Sequence, residues 1–193
     1  MSADLSTGAL RAPLADRKDD CYETPPEATR ALMRVEHLLG PIWEPACGPG
    51  AIVRELRAEG HEVIATDLVD YGCEDSQSGV DFLMEHRALA RTIITNPPYK
   101  LANEFVRHSL ELADVAIMLL RLAFLEGAGR SDLIDRHLAR VWLGRERLPM
   151  MHRRGWDGPT IGNAAMPFAW FVFEREPGHG AIELRRMSWR DAA

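Results

Sequence analysis

At 193 residues, with 46 % hydrophobic and 27 % charged side chains, the chain has room for one soluble globular domain with a substantial core and little more. Its net charge of −6 argues against a nucleic-acid partner, and its longest apolar run, Val115 to Leu125, is broken by Arg121 and too short to span a bilayer. The charge is unevenly spread: residues 1–120 carry 11 basic against 20 acidic side chains, residues 121–193 carry 12 against 9. Such a field accommodates a basic face on an acidic protein, or simply a set of solvated arginines.

In chain order, residues 1–20 have no apolar segment of the secretory kind and read as a flexible tail ahead of a single domain, 21–193. From Thr24 to Leu39, "TPPEATRALMRVEHLL" places apolar residues at helical spacing behind a Thr-Pro-Pro start. A short strand follows at 42–46, then a glycine turn and a helix from about Ala51 to Ala58. Further strands are expected at 62–66, around residue 81 ("GVDFL"), and at 91–95, followed by a helix at about 101–112. "DVAIMLL" reads as a buried strand, "RSDLIDRHL" as helix, "ARVWL" as strand, and "PFAWFVFE" as the last clear strand. Strands alternating with helices imply an α/β protein whose parallel sheet is covered on both faces. Residues 144–167 lack periodicity, and a connection of that length is usually functional or disordered; it carries Arg145, Arg147, Arg153, Arg154, His152 and Trp156.

Cys21, Cys47 and Cys73 are far apart and form no C-x-x-C pair, so a reduced, cytoplasmic setting without a metal site is the simplest expectation. His61, His86 and His108 have no metal-ligand spacing either, and Met118, Met150 and Met151 read as packing.

Two corners carry chemistry. "WEPACGPGA" sets Gly48 and Gly50 between a strand and a helix, where glycine permits a tight turn and lets a ligand approach the backbone. It lacks the third glycine of a dinucleotide fingerprint and the Lys-Ser/Thr of a P-loop. Asp67 closes the next strand, and a parallel sheet brings Glu44, Gly48, Gly50 and Asp67 to one edge, where ligands bind. The second corner is Asn96-Pro97-Pro98-Tyr99, directly after the strand at 91–95.

Taken together these residues resemble class I S-adenosylmethionine-dependent methyltransferases from Cys21 onward. Glu44-Pro45-Ala46-Cys47-Gly48-Pro49-Gly50 is similar to that family's motif I, with Ala46 where a first glycine often stands. Asp67, with Leu68 beside it, matches the acidic residue that holds the cofactor's ribose. Asp81 matches the contact to the adenine amine, with Phe82 packing on the ring. Tyr22-x-Thr24-Pro25 resembles the N-terminal motif that folds over the methionine end of the cofactor. The resemblance implies S-adenosyl-L-methionine as cofactor and a Rossmann-like, mostly parallel seven-stranded sheet with helices on both faces and the last strand antiparallel.

The second corner resembles the (N/D)PP(Y/F) motif of enzymes that methylate a planar nitrogen. That lone pair is delocalised and nucleophilic only once the nitrogen pyramidalises; acceptors on its two hydrogens, the Asn96 side-chain carbonyl and the Pro97 backbone carbonyl, favour that geometry. The prolines pre-set the corner, and Tyr99 offers a face for a base. The combination is similar to compact, phage-type DNA adenine-N6 methyltransferases, so DNA is the expected partner, with no membrane association. RNA adenine or a protein glutamine amide would suit the same corner; a cofactor-binding protein without turnover is the remaining alternative, against which the intact Asn96 and Tyr99 argue. The resemblance leaves out a C-terminal target-recognition domain; Arg145, Arg147, Arg153, Arg154 and Trp156 are the visible substitutes for contacting the nucleic acid. Phe168 and Trp170 read as core strand residues, with a place against the target base as the alternative. Recognition sequence and oligomeric state are not encoded in any visible motif.

Overall fold

A computed structural model describes residues 23–148, 166–176 and 181–190. The expected tail, together with Tyr22, Arg153, Arg154 and Trp156, lies outside the described residues.

Helix α1 (Pro26–Val35) opens on the proline pair, with Glu27 in its first turn and Arg34 in its last, the charge order that suits the helix dipole. Its buried side, Ala28, Thr29, Ala31 and Leu32, packs on the sheet, and the Trp170 indole N–H donates to the Ala28 carbonyl at 2.9 Å. Strand β1 (Ile42–Glu44) is wholly buried. Helix α2 (Ala51–Ala58) buries Ala51, Ile52, Val53 and Leu56. Strand β2 (Val63–Asp67) follows, then β3 (Ser76–Ser78), β4 (Thr92–Thr95), α3 (Ala102–Leu112), β5 (Val115–Arg121), α4 (Ser131–His137), β6 (Leu138–Gly144), β7 (Phe168–Glu174) and β8 (Glu183–Met187).

Among the described residues the strands form one eight-stranded sheet in the order β3-β2-β1-β4-β5-β7-β6-β8. All pairings are parallel except those of β7, which runs antiparallel to both β5 and β6. The chain starts at β1, winds outward to β3, and returns to β4 on the other side. That reversal opens a crevice beyond the carboxyl ends of β1 and β4.

Both faces are covered. On one, α1 and α2 pack over Ile42, Ala65, Ile94, Ile117, Leu119, Trp170 and Val172. On the other, α3 and α4 pack over Trp43, Ile93, Ala116, Met118, Leu120, Phe171 and Phe173. Burial on two sides explains why β4, β5 and β7 read as continuous apolar runs rather than alternating ones. Arg140 of β6 ties α1 to the sheet by pairing with Glu36 and Glu174, each at 2.8 Å, while the Trp142 N–H donates to the same Glu36 at 2.7 Å.

Three expectations need correction. "GVDFL" is not a strand: the Asp81 carboxylate accepts the Leu83 N–H at 3.1 Å and turns Phe82–Met84 into a 3₁₀ turn. The third strand is instead polar Ser76-Gln77-Ser78, an exposed edge paired with β2 that no hydrophobic pattern could mark. The sheet also has one strand more than the seven expected. β8 adds to the edge parallel to β6, so the antiparallel strand is not the last in the chain.

Candidate active site

The crevice is built by three strand ends. β1 ends in Glu44, and the chain then turns through Pro45, Ala46, Cys47 and Gly48 into α2. Gly48 and Gly50 both adopt left-handed backbone, φ 52° and 85°. At Gly50 a Cβ would come within 2.7 Å of the Cys73 sulfur, so both backbone and packing require glycine there. The Gly48 N–H donates to Asp67 Oδ2 at 2.8 Å and the Val69 N–H to Oδ1 at 2.9 Å, which fixes the carboxylate between the glycine turn and the end of β2. Each oxygen keeps a second lone pair for a ligand. Burial raises the Asp67 pKa, opposed by the backbone N–H groups of Val69, Gly48 and Leu68.

Glu44 is 1 % exposed. The Ala46 N–H reaches its Oε1 at 3.3 Å, while Oε2 has no hydrogen-bond partner among the described residues. Burial pushes its pKa up to about 8, partly offset by the Ala46 N–H and reinforced by the Asp67 charge. A buried carboxyl with an unsatisfied oxygen on a cleft wall is poised to receive a cation or a donor. Cys47 behaves differently. Burial, with Glu44, Cys73 and Asp67 nearby, raises its thiol far above the range where a thiolate forms, so it serves as packing rather than as nucleophile.

The second corner comes from β4, buried at all four positions. Pro97 and Pro98 end the ladder, the Leu101 N–H closes a turn onto the Pro98 carbonyl at 2.9 Å, and Tyr99–Leu101 form a 3₁₀ turn into α3. Asn96 and Pro98 line the same cleft as Glu44, Ala46, Cys47, Gly48 and Asp67, with Thr24 and Glu23 ahead of α1. Tyr99 faces a neighbouring cavity with Arg121, Phe124 and Arg130. The Arg121 guanidinium carbon lies 4.4 Å from the Tyr99 ring centroid, and the Phe168 ring lies 5.8 Å away.

The structure thus brings together Thr24, Glu44, Ala46, Cys47, Gly48, Asp67 and Asn96. Pro25 precedes α1, Pro45 and Gly50 shape the turn from behind, and Pro97 is buried in the corner. Leu68 is 61 % exposed beyond the cleft. Asp81 is exposed on its turn, but Phe82 points inward, its ring 5.2 Å from Trp43 and 4.9 Å from Phe105; it fills the core instead of presenting a ring face to a ligand. Trp170 is fully buried against α1, which leaves Phe168 as the β7 aromatic beside the corner. Arg145 and Arg147 are exposed just past the end of β6. Sequence reasoning missed Tyr71, which lines the cleft from the loop after β2, and Arg121. The signal for Arg121 was a lone cation closing an otherwise apolar strand.

The architecture is the Rossmann-like methyltransferase fold. A type I restriction-modification system methyltransferase subunit from Streptococcus thermophilus matches at TM-score 0.57 and 13 % identity over 86 % of this chain and 47 % of that one. The modification subunit of a type I restriction enzyme described from Vibrio vulnificus YJ016 matches at 0.56 and 15 %, over 84 % and 46 %. A protein described as an RNA methyltransferase from Pyrococcus horikoshii matches at 0.59 and 13 %, over 86 % and 92 %. The chain spans about half the length of the two modification subunits. No protein-family model and no curated protein sequence matches it. Among the described residues no helix is long and apolar enough to cross a membrane.

Proposed function

We propose that the protein is an S-adenosyl-L-methionine-dependent methyltransferase acting on the exocyclic N6 amine of adenine in DNA. One observation carries this reading: the Asn96-Pro97-Pro98 corner opens onto the same cleft as Glu44, Gly48 and Asp67. The fold neighbours described as type I modification subunits lend it support, as does Thr24 on the cleft, whose Tyr-x-Thr-Pro context resembles that of DNA enzymes.

The residues present fit the cofactor. Glu44 offers a buried carboxylate with an unpartnered oxygen to the cofactor's ammonium, and Asp67 offers lone pairs to the ribose hydroxyls. Gly48 lets the backbone approach closely. When bound, S-adenosylmethionine supplies an electrophilic methyl group on a sulfonium. The chain's own work is on the acceptor. The Asn96 side-chain carbonyl and the Pro97 backbone carbonyl accept the two amine hydrogens, which localises the nitrogen lone pair along the line of attack. Because the prolines hold these acceptors in place, little reorganisation accompanies the developing positive charge. Tyr99 stacks on the base, and the extra proton leaves to solvent once the nitrogen is cationic.

Labelled S-adenosylmethionine incubated with duplex DNA, single-stranded DNA and RNA, followed by digestion to nucleosides, tests the reading. Label in N6-methyldeoxyadenosine supports it. Label confined to RNA keeps the chemistry and changes the polymer. Cofactor binding without label transfer to any of them refutes it.

A further inference from the structure

Arg121 closes β5, and the sheet register sets it opposite Phe168, the first residue of β7, at the rim that carries Asn96 and Tyr99. Its guanidinium rests over the Tyr99 ring, 4.4 Å from carbon to centroid, with the Phe168 ring 5.8 Å from the same tyrosine. The side chain is exposed, and among the described residues no carboxylate pairs with it and no acceptor takes its N–H groups. A guanidinium on a ring face uses its π-surface for that contact. The in-plane N–H groups stay open, in the fork geometry that suits a phosphate.

Arg130, which lines the same cavity, provides the contrast. Its guanidinium carbon lies 4.8 Å over Phe124, but its N–H groups donate to the carbonyls of Ala123, Phe124 and Glu126. Those donors are consumed in holding the loop after β5. Among the described residues Arg121 holds no loop and neutralises no acid, yet it sits on the residue proposed to stack the target base. Lys100, exposed directly after Tyr99, is the other cation of the corner among the described residues; Arg145 and Arg147 follow β6, two strands away, roughly 10 Å along the sheet edge.

We propose that Arg121 is a substrate-positioning residue: its open N–H edge holds a phosphate flanking the target nucleotide, and its seat on Tyr99 sets the distance from that phosphate to the base at Asn96. This rests on the reading of the protein as a nucleic-acid methyltransferase and extends it to a residue no motif marks. A phosphate contact has a signature that a merely structural contact lacks. It releases a counterion, so its loss flattens the dependence of substrate affinity on salt by about one unit of slope on a logarithmic plot.

The test measures methyl transfer to duplex DNA by wild type, Arg121→Ala, Arg121→Gln and Arg121→Lys across a range of salt concentrations, with cofactor affinity measured in parallel. The expected result for Ala and Gln is a KM for DNA raised about tenfold at low salt, a slope of log kcat/KM against log salt reduced by about one, and unchanged cofactor affinity. Lys retains the slope and loses the seat on the ring, so its KM falls between wild type and Ala. A lowered kcat with an unchanged slope makes Arg121 a brace for Tyr99 and overturns the proposal, as does wild-type behaviour in the Ala and Gln variants. Should wild type transfer no methyl to any nucleic acid, the functional reading falls and this proposal with it; an active wild type with unaltered slopes removes only the role of Arg121.

Discussion

Glu44 gives the protein a pH dependence whose sign follows directly from its burial. Its carboxyl ionises near pH 4.5 when unfolded and is held up to about 8 in the folded protein by burial. Between those values the unfolded chain gives up the proton and the folded one keeps it. The folded state then binds more protons, and stability falls as pH rises. At about 1.4 kcal/mol per unit, the loss across the interval is on the order of 5 kcal/mol, complete once the folded group also ionises. Asp67, also raised by burial, slopes the same way, so the informative quantity is a difference. Replacing Glu44 by Gln keeps an acceptor for the Ala46 N–H and removes the titration. Urea unfolding of both proteins at a series of pH values should show a gap in favour of the variant that is small near pH 4.5, widens steadily, and levels off above 8. With ligand present the order reverses: the ammonium of S-adenosylhomocysteine stabilises the carboxylate, so binding near pH 7 should release close to one proton from wild type and none from this site in the variant. Calorimetry in buffers of different ionisation enthalpy measures that number. A gap independent of pH, together with no proton release, would refute the reasoning from burial to function.

Asn96→Ala should retain cofactor affinity and lose about 10²–10³ in kcat, the loss typical of one pre-set charge-stabilising contact; full activity in this variant would sink the proposed chemistry. Gly50→Ala forces a Cβ into left-handed backbone and to within 2.7 Å of the Cys73 sulfur, so it should destabilise by about 2 kcal/mol or more, with only the steric part recovered by adding Cys73→Ala; a thermal-shift double-mutant cycle separates the two. Arg140→Ala leaves Glu36 and Glu174 facing each other between α1 and the sheet and should cost roughly 3 kcal/mol in a denaturant titration, near the low end for a broken buried pair because the Arg140 side chain is 23 % exposed. Gly144→Ala drives its new methyl into the Trp189 ring and within 2.7 Å of the Glu146 carbonyl, and should displace that indole; a partial, red-shifted change in tryptophan fluorescence, removed by Trp189→Phe and occurring without global unfolding, is the expected readout.

Much of the architecture was readable before any coordinates because its signals are local. Glycines at left-handed positions, a proline pair closing a strand, and apolar residues at helical spacing each constrain the few residues around them, and α2 lies within the bounds its periodicity implied. Wherever a residue's neighbours come from distant parts of the chain, local pattern was silent or misleading. β3 and β8 are edge strands with polar or exposed side chains, defined by the backbone of the strand beside them rather than by any periodicity. Phe82 follows an aspartate in a sequence that suits ring packing on a ligand, yet Trp43 and Phe105, from β1 and α3, claim its side chain.

The amino-acid sequence by itself determined which chemistry is on offer: an amide on a rigid corner, a carboxyl after the first strand, another after the second, and glycines between. Only the tertiary structure decided that these share one cleft, that Glu44 is buried deeply enough to hold its proton, and that Arg121 lies on Tyr99. The physical reason is that covalent order sets residue type and local backbone, whereas burial, electrostatic environment and contact depend on which strands become neighbours. That choice is made by the reversal of strand order between β1 and β4, through packing summed over both faces of the sheet.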